Sequence, residues 1–198
     1  MSVRKQISYK YGSFFITLTN ASWLPLFDQA NAYDVVYNWF DYLKSQGHYI
    51  NAFVIMPNHL HAIISFSYTE KSINSIIGNG KRFMAYEIVK RMKALELDET
   101  LFSMRSMVHK TDKNRGKKHE VFEPSFDWKL LESEKFIEQK VSYIHTNPIR
   151  LKQPLCSIPE EYEHSSAKQY ILSNAMQRYE VKLIYEMQDE NLSGNDYN

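Results

Sequence analysis

Tyr49–Phe66 reads YINAFVIMPNHLHAIISF, and the fold is decided by how this stretch is divided. Tyr49–Met56 is rich in branched and aromatic residues, as a strand requires. Pro57 and Asn58 are turn formers, and Leu60–Phe66 returns as a second strand, so the pair reads as a hairpin. Upstream, Ser13–Thr19 (SFFITLT) alternates, with Phe14, Ile16 and Leu18 on one face of a further strand. Between them Ala32, Val35, Val36, Trp39, Phe40 and Leu43 follow the spacing of an amphipathic helix that ends near Gly47. Beyond the hairpin, Ile73, Ile76, Ile77, Phe83, Met84 and Ile88 mark a second helix, with Gly78 and Gly80 as candidate interruptions. Val121–Leu131 could hold a fourth strand, broken at Pro124. Ser133 then caps a helix through Asn147, and Pro148 stops it. The order strand, helix, strand, strand, helix, strand predicts an α+β protein. Its expected core is a ferredoxin-like antiparallel sheet with helices on one face, followed by a helix C-terminal to the core.

The remaining segments carry less signal. Glu96–Glu120 is polar and aperiodic and reads as a loop or insertion. Glu160–Glu186 reads as a further helical stretch. The expected organisation is a core over residues 1–156, with the basic insertion at about 96–120, and a helical extension over 157–198 with an acidic, polar tail.

Of the 198 residues, 43% are hydrophobic and 24% charged, which is enough apolar content to bury a core. The single cysteine, Cys156, excludes an internal disulfide and suits a reducing compartment. The opening MSVRKQISYKYG lacks the apolar stretch of a signal peptide, and no run approaches the roughly 20 apolar residues of a membrane span. A soluble, cytoplasmic protein with no membrane partner is expected. The net charge of +1 hides segregation: Arg105–His119 (RSMVHKTDKNRGKKH) holds six Lys or Arg against one Asp. Such a patch is either a solvated loop or a nucleic-acid contact.

Two clusters could carry chemistry. His59 and His61, two apart on a strand, project to one side roughly 7 Å apart at the backbone, so their imidazoles can converge on one metal ion. Leu60, Ala62, Ile64 and Phe66 form the opposite, apolar face, which should meet the helices. The histidines are thus expected on the open side of the sheet. A His-x-His pair is also simply a polar strand face, and a metal normally needs a third protein ligand. The second cluster is VSYIHTNPIR, Val141–Arg150, where Ile137, Val141 and Ile144 form one stripe and Phe136, Lys140, Tyr143 and Asn147 its neighbour. Tyr143 and Asn147, four apart, share a helix face. A tyrosine can act as nucleophile and an asparagine carbonyl can ligate a hard cation.

Together, His59-Leu60-His61 after Met56-Pro57-Asn58 and Tyr143-Ile144-His145-Thr146-Asn147-Pro148 resemble the REP-associated tyrosine transposases, part of the single-tyrosine group with a histidine-hydrophobe-histidine motif. Tyr162-x-x-Ser165-Ser166-Ala167-x-x-Tyr170 and the Phe14–Thr19 strand resemble the same family, so the likeness runs over roughly residues 10–172. The resemblance implies Tyr143 as nucleophile, and His59, His61 and Asn147 as ligands of Mg²⁺ or Mn²⁺. It also implies single-stranded or hairpin DNA as substrate, cut through a 5′-phosphotyrosine. Family members occur as monomers and as homodimers with shared sites. In the latter case Tyr143 and His59 of one chain would lie far apart. Lys81, Arg82, Lys90, Arg91, Lys93, Lys110, Lys113, Arg115, Lys117 and Lys118 are candidate phosphate contacts, and His145 and Arg150 flank the nucleophile. The sequence departs from the family where Leu151-Lys152-Gln153 follows Arg150. Three other readings stay open: a domesticated DNA-processing protein, a hydrolase with Glu87 or Asp127 as third metal ligand, and an RNA-binding ferredoxin-like domain. The last lacks the aromatic signature on its central strands.

Overall fold

The computed structural model describes residues 6–172 and 178–185. Four strands, β1 (Gly12–Thr19), β2 (Tyr49–Met56), β3 (His59–Phe66) and β4 (Asp127–Leu130), form one antiparallel sheet in the order β2-β3-β1-β4. Helices α1 (Leu26–Gln29) and α2 (Tyr33–Ser45) join β1 to β2, and α3 (Ile73–Ala94) follows the hairpin. After α3 come α4 (Asp98–Ser106) and α5 (Lys110–Asn114), then β4, α6 (Glu134–Thr146) and the short α7 (Ala167–Ile171). This strand order with this connectivity is the ferredoxin-like arrangement that the hydrophobic pattern predicts.

The pleat divides the core in two. Phe14, Ile16 and Leu18 of β1 and Leu60, Ala62, Ile64 and Phe66 of β3 turn to one side, against Val36, Phe40 and Leu43 of α2 and Ile77, Met84 and Ile88 of α3. Phe15, Ala52, Val54, Met56 and Ile63 turn to the other side and meet Ile137, Val141 and Ile144 of α6. The face that carries the histidines is therefore not open, as the sequence suggests, but roofed by α6. Phe15 of β1, Ala52, Val54 and Met56 of β2, and Ile63 of β3 share the histidine face and supply the surface on which α6 packs.

Four further expectations change. Gly78 and Gly80 leave α3 unbroken from Ile73 to Ala94. A Cβ at Gly80 would collide with the Trp39 indole, so the glycine lets α2 and α3 approach. Glu96–Glu120 is not a loop: Leu101, Met104 and Val108 are buried, the first two in the α2–α3 core, and the nine- and five-residue helices of this segment are too short to display a period. Ser133 occupies the N-cap position of α6 with extended backbone, but its side chain caps nothing. Within Glu160–Glu186 the described residues hold a turn at Pro159–Glu161, the five-residue α7, and a stretch at 178–185 whose Val181 and Ile184 are buried. The remainder of that span, and the acidic tail, lie outside the described residues.

The outer edge of β2 is covered by the chain after α6. Ile55 N–H donates to His164 O (2.8 Å) and Ser166 N–H to Phe53 O (3.0 Å). Tyr162 Oη donates to Ile55 O (2.9 Å), and Tyr170 Oη to Asn51 O (2.8 Å). The Tyr162–Tyr170 motif thus pairs an edge that would otherwise be free to bind another chain.

Candidate active site

Register brings the site together. Cα partners across the sheet place Met56, His59 and Thr19 in one row, and Val54, His61, Thr17 and Asp127 in the next. Directly opposed residues share a face, so the two imidazoles lie beside the threonine hydroxyls and under α6. Their ring centroids are 4.6 Å apart, with the planes at 72°. Each ring is held at Nδ1: His59 2.7 Å from Asn58 Oδ1, and His61 2.8 Å from Thr17 Oγ1. An amide oxygen can only accept, so His59 carries its proton on Nδ1, and Nε2 is the nitrogen with the lone pair. Nδ1 anchors of this kind fix ring orientation in metal-binding histidines.

Electrostatics favours neutral rings. Burial lowers the pKa of His59 to about 4, opposed by its hydrogen bond with the Asn147 side chain. Burial lowers that of His61 to about 3, helped by the nearby charges of His59 and Lys140. Both imidazoles are then unprotonated at neutral pH, the state that ligation needs. The chemistry of this donor set, two neutral imidazoles with a carboxamide at their side, fits a divalent cation such as Mn²⁺. Among the described residues no group of three or more His, Cys, Asp or Glu could hold a metal ion. Glu87 is on α3, across the sheet, and is paired with Lys90 (3.1 Å) and Arg91 (3.2 Å). Asp127 shares the histidine face but stands two strands from His61, roughly 10 Å at strand spacing. Neither supplies the third ligand of a hydrolase.

Helix α6 sets its apolar stripe into the sheet and leaves the neighbouring stripe over the histidines. The Tyr143 ring is 5.1 Å from that of His61 (65°) and 5.9 Å from that of Phe15 (76°). Asn147, one turn on, reaches His59. The tyrosine and both histidines thus meet within one chain, without a partner copy. Lys140, three residues before Tyr143, holds its ammonium 5.6 Å from the Tyr143 ring and 4.7 Å from that of Phe15. Sequence reasoning put Lys140 on this stripe but gave it no role; its i,i+3 spacing from Tyr143 was the available signal. Thr17 and Asn58 were missed because their partners are set by strand register and by the turn.

The other sequence candidates disperse. His145 is buried, stacks at a tilt on Tyr170 (4.8 Å) and hydrogen-bonds Ser166 Oγ through Nε2 (3.0 Å), which ties α6 to the strip along β2. Arg150 is exposed just beyond α6. Lys81, Arg82, Lys90, Lys93, Arg115, Lys117 and Lys118 line a groove of about 860 Å³ between α3 and residues 115–126. Within it Lys81 donates to Glu123 O (2.6 Å) and Lys117 pairs with Glu120 (2.5 Å), whereas Arg82, Lys93, Arg115 and Lys118 are exposed. Arg91 is committed to Asp34 at 2.6 and 2.7 Å. Lys110 and Lys113 are exposed on α5 and do not line the groove.

A solved structure described as the REP-associated tyrosine transposase bound to a REP hairpin superposes with a TM-score of 0.57, at 17% identity, over 92% of this chain and 93% of that one. This chain shares its fold with that transposase. A candidate transposase from Deinococcus radiodurans R1 is more distant, at a TM-score of 0.42 and 15% identity, over 72% of this chain and 95% of that one. No protein-family model matches the chain. No curated protein matches it either. Among the described residues no helix is long and apolar enough to cross a membrane.

Proposed function

We propose that this chain is a DNA transposase that cuts and rejoins single-stranded or hairpin DNA through Tyr143, with His59, His61 and Asn147 holding Mg²⁺ or Mn²⁺. The carrying observation is the Tyr143 ring set over His61, 5.1 Å between centroids, with Asn147 at His59 in the same chain. Likeness of fold to a hairpin-bound transposase supports the reading.

Transesterification needs a nucleophile in line with the scissile bond and stabilised charge on the phosphate. Tyr143 Oη would attack phosphorus while the bond from phosphorus to the 3′ oxygen breaks. One P–O bond forms and one is lost, giving a 5′-phosphotyrosine and a free 3′-hydroxyl. Rejoining is the reverse attack by a 3′-hydroxyl and requires no nucleotide hydrolysis. A divalent cation held at the histidines would supply Lewis-acid polarisation of the phosphate oxygens. Lys140 would add a fixed positive charge where the phosphate must sit. The packing of α6 on the sheet pre-sets the distance between nucleophile and ligands.

The test is incubation of the protein, and of its Tyr143→Phe variant, with end-labelled hairpin DNA bearing single-stranded flanks, in Mn²⁺ or in EDTA. A protein–DNA species that survives a denaturing gel, and that needs both Tyr143 and the cation, is the expected result. Cleavage without such a species, equally efficient in the phenylalanine variant, would contradict it.

A further inference from the structure

Trp23 is more than half exposed (59%), yet its ring meets a candidate ligand: its centroid is 5.5 Å from that of His59, with planes at 72°. Its backbone is unusual. Ser22 (φ 51°) and Trp23 (φ 59°) both occupy the left-handed region, where a bulky L-residue is strained. The strain is held from outside. Ala21 N–H donates to Val121 O (2.9 Å), Ser22 N–H to Glu123 Oε1 (3.0 Å) and Trp23 N–H to Asn20 O (3.0 Å). Asn20 is fully buried and donates in turn to Leu24 O (3.2 Å). A ring left this wet contributes little to the core, so burial does not explain why the chain keeps Trp23 strained. The same segment, Val121–Glu123, also lines the basic groove, so the turn that carries Trp23 is tied to the groove wall while its ring meets His59.

We propose that Trp23 is a base-binding residue of the site: its free face stacks a base of single-stranded DNA next to the scissile phosphate. This rests on the DNA-cutting reading and adds how the strand is held. An indole accepts any base, because every base offers a π-face, and the neighbouring cations track the backbone. With His59 against the same ring, a stacked base would bring its phosphate to the histidines rather than leave it free along the groove.

The experiment uses the full chain with two fluorescein-labelled probes of equal length, an oligothymidine strand and a strand of abasic sites, in EDTA so that binding alone is read. Wild type, Trp23→Phe and Trp23→Asn are compared, the last because asparagine tolerates left-handed backbone. Oligothymidine should bind wild type more tightly than the abasic strand and quench its tryptophan fluorescence. The asparagine variant should lose at least about fivefold for oligothymidine, the lower end of what a base–aromatic stack contributes, and nothing for the abasic strand. The phenylalanine variant should keep most of the affinity and lose most of the quenching, since Trp39 is buried and Trp128 is packed against Tyr9 and Phe14. Equal affinity of wild type for both probes, or no quenching by oligothymidine, would overturn the proposal even if the asparagine variant failed to fold. A protein that forms the Tyr143 adduct but shows neither effect loses only this inference. One that shows both effects but never forms an adduct loses only the cutting reading.

Discussion

Thr17 and His61 face each other across β1 and β3, with 2.8 Å between Oγ1 and Nδ1. If His61 ligates through Nε2, its Nδ1 proton goes to Thr17, and removing that acceptor frees the ring to turn. Thr17→Val keeps the volume and deletes the acceptor. Loss of an outer partner of this kind costs about 10- to 100-fold in metal affinity. Titration calorimetry with Mn²⁺ should show that loss in the valine variant and near-normal binding in Thr17→Ser. Unchanged affinity in both would mean that Thr17 only fills space. At this scale the sequence was informative about residue types and silent about partners. His59, His61, Tyr143 and Asn147 stood out by spacing within one strand and one helix. Thr17, Asn58 and Lys140 did not, because their roles depend on which residue lies opposite, and that is set by register and by how α6 docks.

The elements themselves were mostly legible, since β1, β2, β3, α2 and α3 each carry a strong apolar period. The failures came where burial is shared among short pieces. α4 buries Leu101 and Met104 among charged neighbours, and the strip along β2 is held by backbone pairing rather than by a pattern. Gly80 shows a composition cue that misleads: read as a break, it is a contact. In Gly80→Ala the added Cβ collides with Trp39 inside a packed helix pair. Overpacking of this kind costs about 1–3 kcal/mol, against a helix-propensity gain of about 1 kcal/mol. Gly78 has nothing within 4 Å of a built Cβ, so Gly78→Ala should gain up to about 1 kcal/mol. Thermal melts should therefore move in opposite directions, by about 2–4 °C per kcal/mol. A parallel shift of the two variants would contradict the close approach of α2 and α3.

Across the whole molecule the sheet separates two clusters. The α6 face gathers the histidines, Tyr143 and Lys140, while the α3 side gathers the exposed cations of the groove. The net charge of +1 concealed this division, and only the clustering of charge near residues 105–119 hinted at it. If groove cations neutralise DNA phosphates, the salt dependence of hairpin binding should report them. Arg115→Ala combined with Lys118→Ala should shallow the slope of log affinity against log salt by about 2, roughly one per lost phosphate contact. An unchanged slope would place the DNA elsewhere. The central claim remains that one tyrosine on the roof of the sheet becomes joined to DNA. The most direct measurement is mass spectrometry of the nuclease-trimmed, proteolysed reaction with hairpin DNA and Mn²⁺. The account expects a nucleotide mass on the peptide containing Tyr143, linked through its phenol oxygen, and a 3′-hydroxyl on the released strand. A cut strand with every tyrosine-bearing peptide at its unmodified mass would contradict it.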